Sequence, residues 1–111
     1  MSKELVPYLQ QVRDLIQTGW CSRTLARDAN DCVCEPDADV AVRWCLAGAI
    51  TRVVQRDLSL RRAIEDAFVE TVAKDAPTMA RASLWAYNDC APKGQLDVLD
   101  MIDRTIVSHS Q

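Results

Sequence analysis

Cysteine offers the most versatile chemistry in this chain. Four of the five, Cys21, Cys32, Cys34 and Cys45, fall between residues 21 and 45. Four thiolates meeting at one point would hold zinc, and Cys32 and Cys34 would share a face if they lay on a strand. Structural zinc sites usually present C-x2-C knuckles, whereas this chain has one C-x-C and two isolated thiols. The main expectation is therefore packed, reduced thiols acting as small apolar groups, with a zinc set of Cys21, Cys32, Cys34 and Cys45 as the runner-up. Cys90 follows Asp89, whose carboxylate disfavours the thiolate. A cysteine or serine nucleophile would need a base, and the single imidazole, His109, lies close to the chain end, where fraying is common. Asp28 with Asp31 and Asp37 with Asp39 are carboxylate pairs in polar loops, without the apolar setting that raises a pKa for acid catalysis. Phosphate-binding glycine loops, H-E-x-x-H and G-x-S-x-G are absent. No catalytic residue and no cofactor are assigned, and the balance leans away from an enzyme.

The aromatic residues are more informative. Three tryptophans accompany one phenylalanine and two tyrosines. Trp20-Cys21, Trp44-Cys45 and Trp85-Ala86-Tyr87-Asn88-Asp89 each stand at an expected junction between elements. One reading is a core whose corners are filled by indoles that find partners for their N–H groups. The other is a partner surface or shared pocket, because tryptophans also anchor interfaces. Arg27-Asp28 and Asn88-Asp89 are the polar groups expected nearby, and turn or cap hydrogen bonds are their alternative roles. The candidate binding residues are thus Trp20, Arg27, Asp28, Trp44, Trp85, Tyr87, Asn88 and Asp89. A small-molecule or metal pocket lined by Trp44, Cys45, Arg27 and Asn88 is the competing version. Arg52, Arg56, Arg61 and Arg62 gather around one turn, which reads as a solvated corner rather than an anion site.

The elements that must carry these residues are mostly helical. The chain has 111 residues, enough for one domain spanning 1–111, with 13 Lys+Arg against 16 Asp+Glu. A net charge of −3 argues against a nucleic-acid binder. Residues 1–56 are neutral and residues 57–111 carry the whole excess of acid. The longest apolar run, Trp44 to Ile50, is far below the ~20 residues of a membrane span. Met1 to Tyr8 lacks the apolar core of a signal peptide, so a cytoplasmic location is expected.

Leu5, Leu9, Val12, Leu15 and Ile16 draw one face of a helix over Lys3–Thr18, with Pro7 in its opening turns and Gly19 as a left-handed stop. Thr24–Asp28 and Asp31–Cys34 flank the turn-prone Ala29-Asn30 and predict a β-hairpin. Asp37 is the expected cap of a second helix running to Arg56, with Val42, Cys45, Leu46, Ala49, Ile50 and Val53 inward and Gly48 admitting a neighbouring helix. A third helix, capped by Asp57 or Ser59, runs to Asp75, with Arg61–Glu65 and Arg62–Asp66 as surface pairs. A short fourth covers Thr78–Tyr87, Asn88–Gly94 forms a loop, and a fifth covers Gln95–Ser108, burying Leu96, Leu99, Met101 or Ile102, and Ile106. The class is mainly α: a compact bundle of about five helices with one short hairpin after the first.

Gly19-Trp20-Cys21, Leu25-Ala26-Arg27-Asp28-Ala29, Ala41 to Ile50, and Asn88-Asp89 before Val98-Leu99 and Ile102-Asp103-Arg104 together resemble a family of short bacterial and phage-encoded proteins with no assigned activity. The likeness spans nearly the whole chain. It departs at Tyr87, where the family tends to carry Trp, and at Ala91–Gly94, where a Pro-Gly-Arg-Thr-like turn is usual. Cys32 and Cys34 have no counterpart in it. The resemblance implies a helical fold with a hairpin and implies no reaction. The function expected is a non-enzymatic module for a protein partner, or for a second copy as a homodimer. In its specific form it is a phage or mobile-element protein that inhibits a host machine. Trp20, Trp44 or Trp85 should then be partly exposed.

Overall fold

A single 3-10 turn, Lys3–Leu5, leads into α1, Val6–Thr18. Pro7 sits in the first turn of α1, where no N–H is needed, and Leu9, Val12 and Ile16 are fully buried on one face. These observations come from a computed structural model that describes residues 3–75 and 83–111. After α1 the elements are β1 (Ala26–Asp28), β2 (Ala41–Trp44), α2 (Leu46–Val54), α3 (Leu58–Asp75), α4 (Leu84–Cys90) and α5 (Gln95–His109). The helical bundle with one two-stranded antiparallel sheet after α1 matches the class read from the sequence.

Helix α1 lies along α5 and also touches α2, while α3 closes the other side of α5. Leu9, Ile16, Leu46, Ile50, Ile64, Phe68, Met101 and Ile102 form the centre of the core, essentially without exposure. Each such side chain contributes roughly 1.5–3 kcal/mol by leaving water. Polar ties lock the helices at their margins. Arg13 pairs with Asp103 across α1 and α5 at 2.5 Å. Gln95 donates to the carbonyl of Ile16 at 2.8 Å, capping the end of α1. Thr71 and Thr105 share a buried 2.6 Å hydrogen bond between α3 and α5. On α5, Val98 is buried and both Met101 and Ile102 face the core, whereas Leu96 is 67% exposed, contrary to the expected stripe.

The hairpin differs from expectation in its second strand. β1 pairs with β2, with Ala26 opposite Trp44 and Arg27 opposite Arg43, and a bulge follows at Asp28. The turn at Ala29-Asn30 is real: Asp28 Oδ1 accepts from the N–H groups of Asn30 and Cys32, each at 2.9 Å. Residues beyond it run back beside β1 but contribute only an isolated bridge, Val33 to Arg27. The expected second helix therefore begins later. Residues 41–44 are extended, because β1 and the Gly19–Cys21 backbone take their hydrogen bonds: the Trp44 N–H donates to Gly19 and the Cys21 N–H to Trp44. Asp37 consequently does not cap α2. The cap of α2 is Cys45, whose sulfur accepts from the Gly48 N–H at 3.3 Å. Val42 is exposed on β2 rather than inside a helix.

Two glycines explain this packing. Gly19 has an extended backbone, φ −172°, not a left-handed one, and a Cβ there would stand 2.2 Å from the Val42 carbonyl oxygen. A Cβ on Gly48 would stand 1.9 Å from the Leu25 carbonyl oxygen. The close neighbour of Gly48 is thus the backbone entering β1, not another helix. Asp57 caps α3 as expected, accepting from the Leu60 N–H at 3.0 Å. The expected fourth helix falls partly outside the described residues. Its described part starts at the Ser83 cap and runs through Cys90, so Asn88, Asp89 and Cys90 are helical rather than loop.

Candidate functional site

Asn88 is the polar centre of the molecule. It is only 1% exposed, and from α4 its amide reaches two separate backbone segments, at Cys21 and Leu46. Its Oδ1 accepts from the Trp20 indole N–H at 2.8 Å and from the Leu46 N–H at 3.0 Å. Its Nδ2 donates to the Cys21 carbonyl and to Asp89 Oδ1, both at 3.2 Å. The Leu46 N–H is one of the orphan donors at the start of α2, so Asn88 acts as a cap supplied from a distant helix. Asp89 extends the network by accepting from the Arg23 N–H at 2.9 Å. That bond holds Arg23 in a left-handed conformation, φ 70°, which is unfavourable for a residue with a long side chain. The Trp20 ring packs on Gly94, where a Cβ would stand 3.1 Å from it.

Beside this network a cleft of about 260 Å³ is lined by Arg23, Thr24, Leu25, Cys45, Trp85 and Asp89. Trp85 also forms a wall of a second, shallower cleft of about 430 Å³, which has Ala47, Ile50, Val69 and Leu84 as its apolar surface and Glu65 and Asp66 beside them. Trp85 is 60% exposed between the two. The structure therefore brings Trp20, Asn88, Asp89 and Trp85 into one region, as their residue types suggest. It separates the others. Trp44 is buried, donates its indole N–H to the Pro36 carbonyl at 2.9 Å and lies under the Arg52 guanidinium at 5.3 Å. Arg52 itself donates to the Pro36 and Ala38 carbonyls, so it is part of the scaffold. Arg27 binds the Asp31 carbonyl at 2.8 Å and Asp28 organises the turn. Tyr87 donates to the Asp97 carbonyl at 3.2 Å. Of the pocket imagined around Trp44, Cys45, Arg27 and Asn88, only Cys45 lines the first cleft.

The cysteines divide. Cys21 and Cys45 are buried together with Ala47, while Cys32 and Cys90 are exposed and Cys34 is half-buried. Among the described residues no group of three or more His, Cys, Asp and Glu side chains is placed to hold a metal ion. Burial pushes the Cys21 thiol up to about 11, with the neighbouring Cys45 adding to the effect. Burial also raises Cys45, against the opposing hydrogen bond from Gly48. Both are thus neutral thiols at physiological pH. The cleft brings together a tryptophan, an arginine and an aspartate. Arg23, Thr24 and Leu25 were not anticipated. Nothing local in the sequence signals them, since distant groups help to place them: Asp89 accepts from the Arg23 N–H and the Leu25 carbonyl accepts from the Cys45 N–H.

No helix among the described residues is long and apolar enough to cross a membrane. No curated protein and no solved structure matches the chain. Residues 2–108 match the model of a family of unknown function, DUF6197, and the chain belongs to that family.

Proposed function

We propose that this protein is a non-enzymatic interaction module that docks a protein partner over Trp85. The observation that carries this reading is the 60% exposure of Trp85 between two apolar-walled clefts, while Trp44 is buried and Trp20 is held by Asn88. Tryptophan is among the residues most enriched at interface hot spots, because one rigid ring removes a large apolar area from water. On a short helix anchored by Asn88, such a ring offers a partner a large apolar area on a fixed support. The partner in this reading is another protein or a second copy of the chain. Its finer form, a phage or mobile-element protein that inhibits a host machine, draws only on the resemblance noted above.

A small-molecule ligand is the second reading, favoured by the convergence of Cys45, Arg23, Asp89 and Trp85 on one cleft. At about 260 Å³ the cleft is slightly below the roughly 300–1,000 Å³ of most ligand pockets, which tips the balance toward docking. The test is Trp85→Ala. The variant should melt with the wild type, and its affinity for a partner recovered from the native host, or for itself, should fall on the order of 30-fold, as for a hot-spot residue. Unchanged affinity for that partner refutes the reading. A thermal upshift with small molecules that survives Trp85→Ala and disappears with a bulky residue at Thr24 supports neither protein docking nor this role for Trp85.

A further inference from the structure

The second cleft indicates what kind of partner fits, and this step rests on the docking reading above. Its walls are apolar on the Ala47, Ile50 and Leu84 side, the Trp85 indole stands at one edge, and Glu65 and Asp66 face it from α3. Asp66 is exposed, and among the described residues no cation lies within ion-pair distance of it. The expected Arg62–Asp66 pair does not form. Glu65 has a loose neighbour, Arg61, at 3.7 Å, and Arg61 is already engaged with Thr51 Oγ1 at 2.7 Å. The acid excess of the whole chain also lies in residues 57–111, which carry α3 and α4.

A tryptophan, an apolar wall and two carboxylates that share, among the described residues, the single neighbouring cation Arg61 together suit one kind of side chain: a long cationic one. Its methylene stem covers apolar surface, its charged head meets a carboxylate, and the cation gains from the ring face. We infer that the cleft between Trp85 and Glu65/Asp66 receives an arginine or lysine of an apolar, basic segment of the protein partner. The first cleft balances Arg23 with Asp89, whereas the described lining of the second holds two carboxylates and no cation, so the segment's charge belongs on the α3 side of Trp85.

The probe is a hexapeptide alternating leucine and arginine. Two controls carry citrulline, a neutral isostere, or glutamate in place of arginine. Binding is read from the Trp85 indole signal in two-dimensional NMR of the full chain. The arginine peptide should bind about tenfold more tightly than the citrulline peptide, and the glutamate peptide more weakly still. Asp66→Asn should reduce arginine-peptide affinity about threefold and the Glu65→Gln/Asp66→Asn pair about tenfold, consistent with solvent-exposed ion pairs. The arginine advantage should shrink as salt rises from 50 to 500 mM. Equal binding of the arginine and citrulline peptides at Trp85, or indifference to both carboxylate substitutions, overturns the inference while leaving apolar docking standing. Absence of any shift at Trp85 with all three peptides also overturns it, and the docking reading is then decided separately by the Trp85→Ala partner measurement.

Discussion

Replacing Asn88 with alanine tests the central tie of the structure. The substitution removes an acceptor shared by the Trp20 indole and the Leu46 N–H, and the donor that satisfies the Cys21 carbonyl. The bonds to Leu46 and Cys21 are buried, and an unsatisfied buried polar group costs about 1–3 kcal/mol. The Trp20 bond is only partly buried, so its loss adds about 1 kcal/mol. The total is about 3–7 kcal/mol, a large fraction of the ~5–15 kcal/mol that holds a domain together. The melting temperature should fall by roughly 12–28 °C. Urea denaturation followed by circular dichroism gives the free energy directly, with an unchanged slope if only the native state is affected. Trp20→Phe should cost about 1 kcal/mol, and the double variant should be less destabilised than the sum, because both lose the same bond. A loss below about 1 kcal/mol for Asn88→Ala, or strict additivity with Trp20→Phe, would refute the assignment of Asn88 as the shared cap.

Other consequences can be measured with simple variants. Gly48→Ala should destabilise by about 2 kcal/mol or more despite alanine's better helix propensity, because the new Cβ meets the Leu25 carbonyl oxygen at 1.9 Å; a gain in thermal stability would contradict that packing. The raised Cys21 pKa means that the unfolded chain ionises first as pH increases. Stability from this group is therefore complete below pH about 9 and is lost between about 9 and 11, and Cys21→Ala should flatten that decline in urea titrations. Cys32 and Cys90 should react within the first phase of thiol labelling of the native protein, with Cys21 and Cys45 reacting only on unfolding. Mass spectrometry resolves the order, and early modification of Cys21 would argue against its burial.

The helices and much of the core were legible because their apolar spacing is clear: Leu9, Val12 and Ile16 on α1 all point inward as read. Residues 41–44 were not. Val42, Cys45, Leu46 and Ala49 fit a helical stripe, yet the same stretch can alternate as a strand. Gly19, with no side chain to keep the backbones apart, settles the matter by letting β2 approach. The cap of α2 was hidden for a related reason, since a thiol is a weak acceptor and Asp37 a better one by type alone. Asn88-Asp89 has a loop composition, and only the surrounding structure reveals that the amide serves distant backbone from within a helix. Trp20, Trp85, Asn88 and Asp89 were identifiable by type. Their division into a buried tie and an exposed face depends on contacts between segments far apart in sequence.

The Asn88 network also sets a timetable for synthesis. Its bonds span 68, 42 and 67 positions along the chain, and the Arg13–Asp103 pair spans 90. As the polypeptide emerges from the ribosome, α1, the strands and α2 appear long before the groups that complete them. Until residue 88 is outside, the Leu46 N–H and the Cys21 carbonyl must be served by water, and until α5 follows, the buried face of α1 is covered only in part, by α2 and β2. Such a chain closes in one late step rather than growing a finished core from its start. The exposed apolar faces during that interval are where a chaperone would act, and a message truncated before α5 would yield a product prone to aggregate.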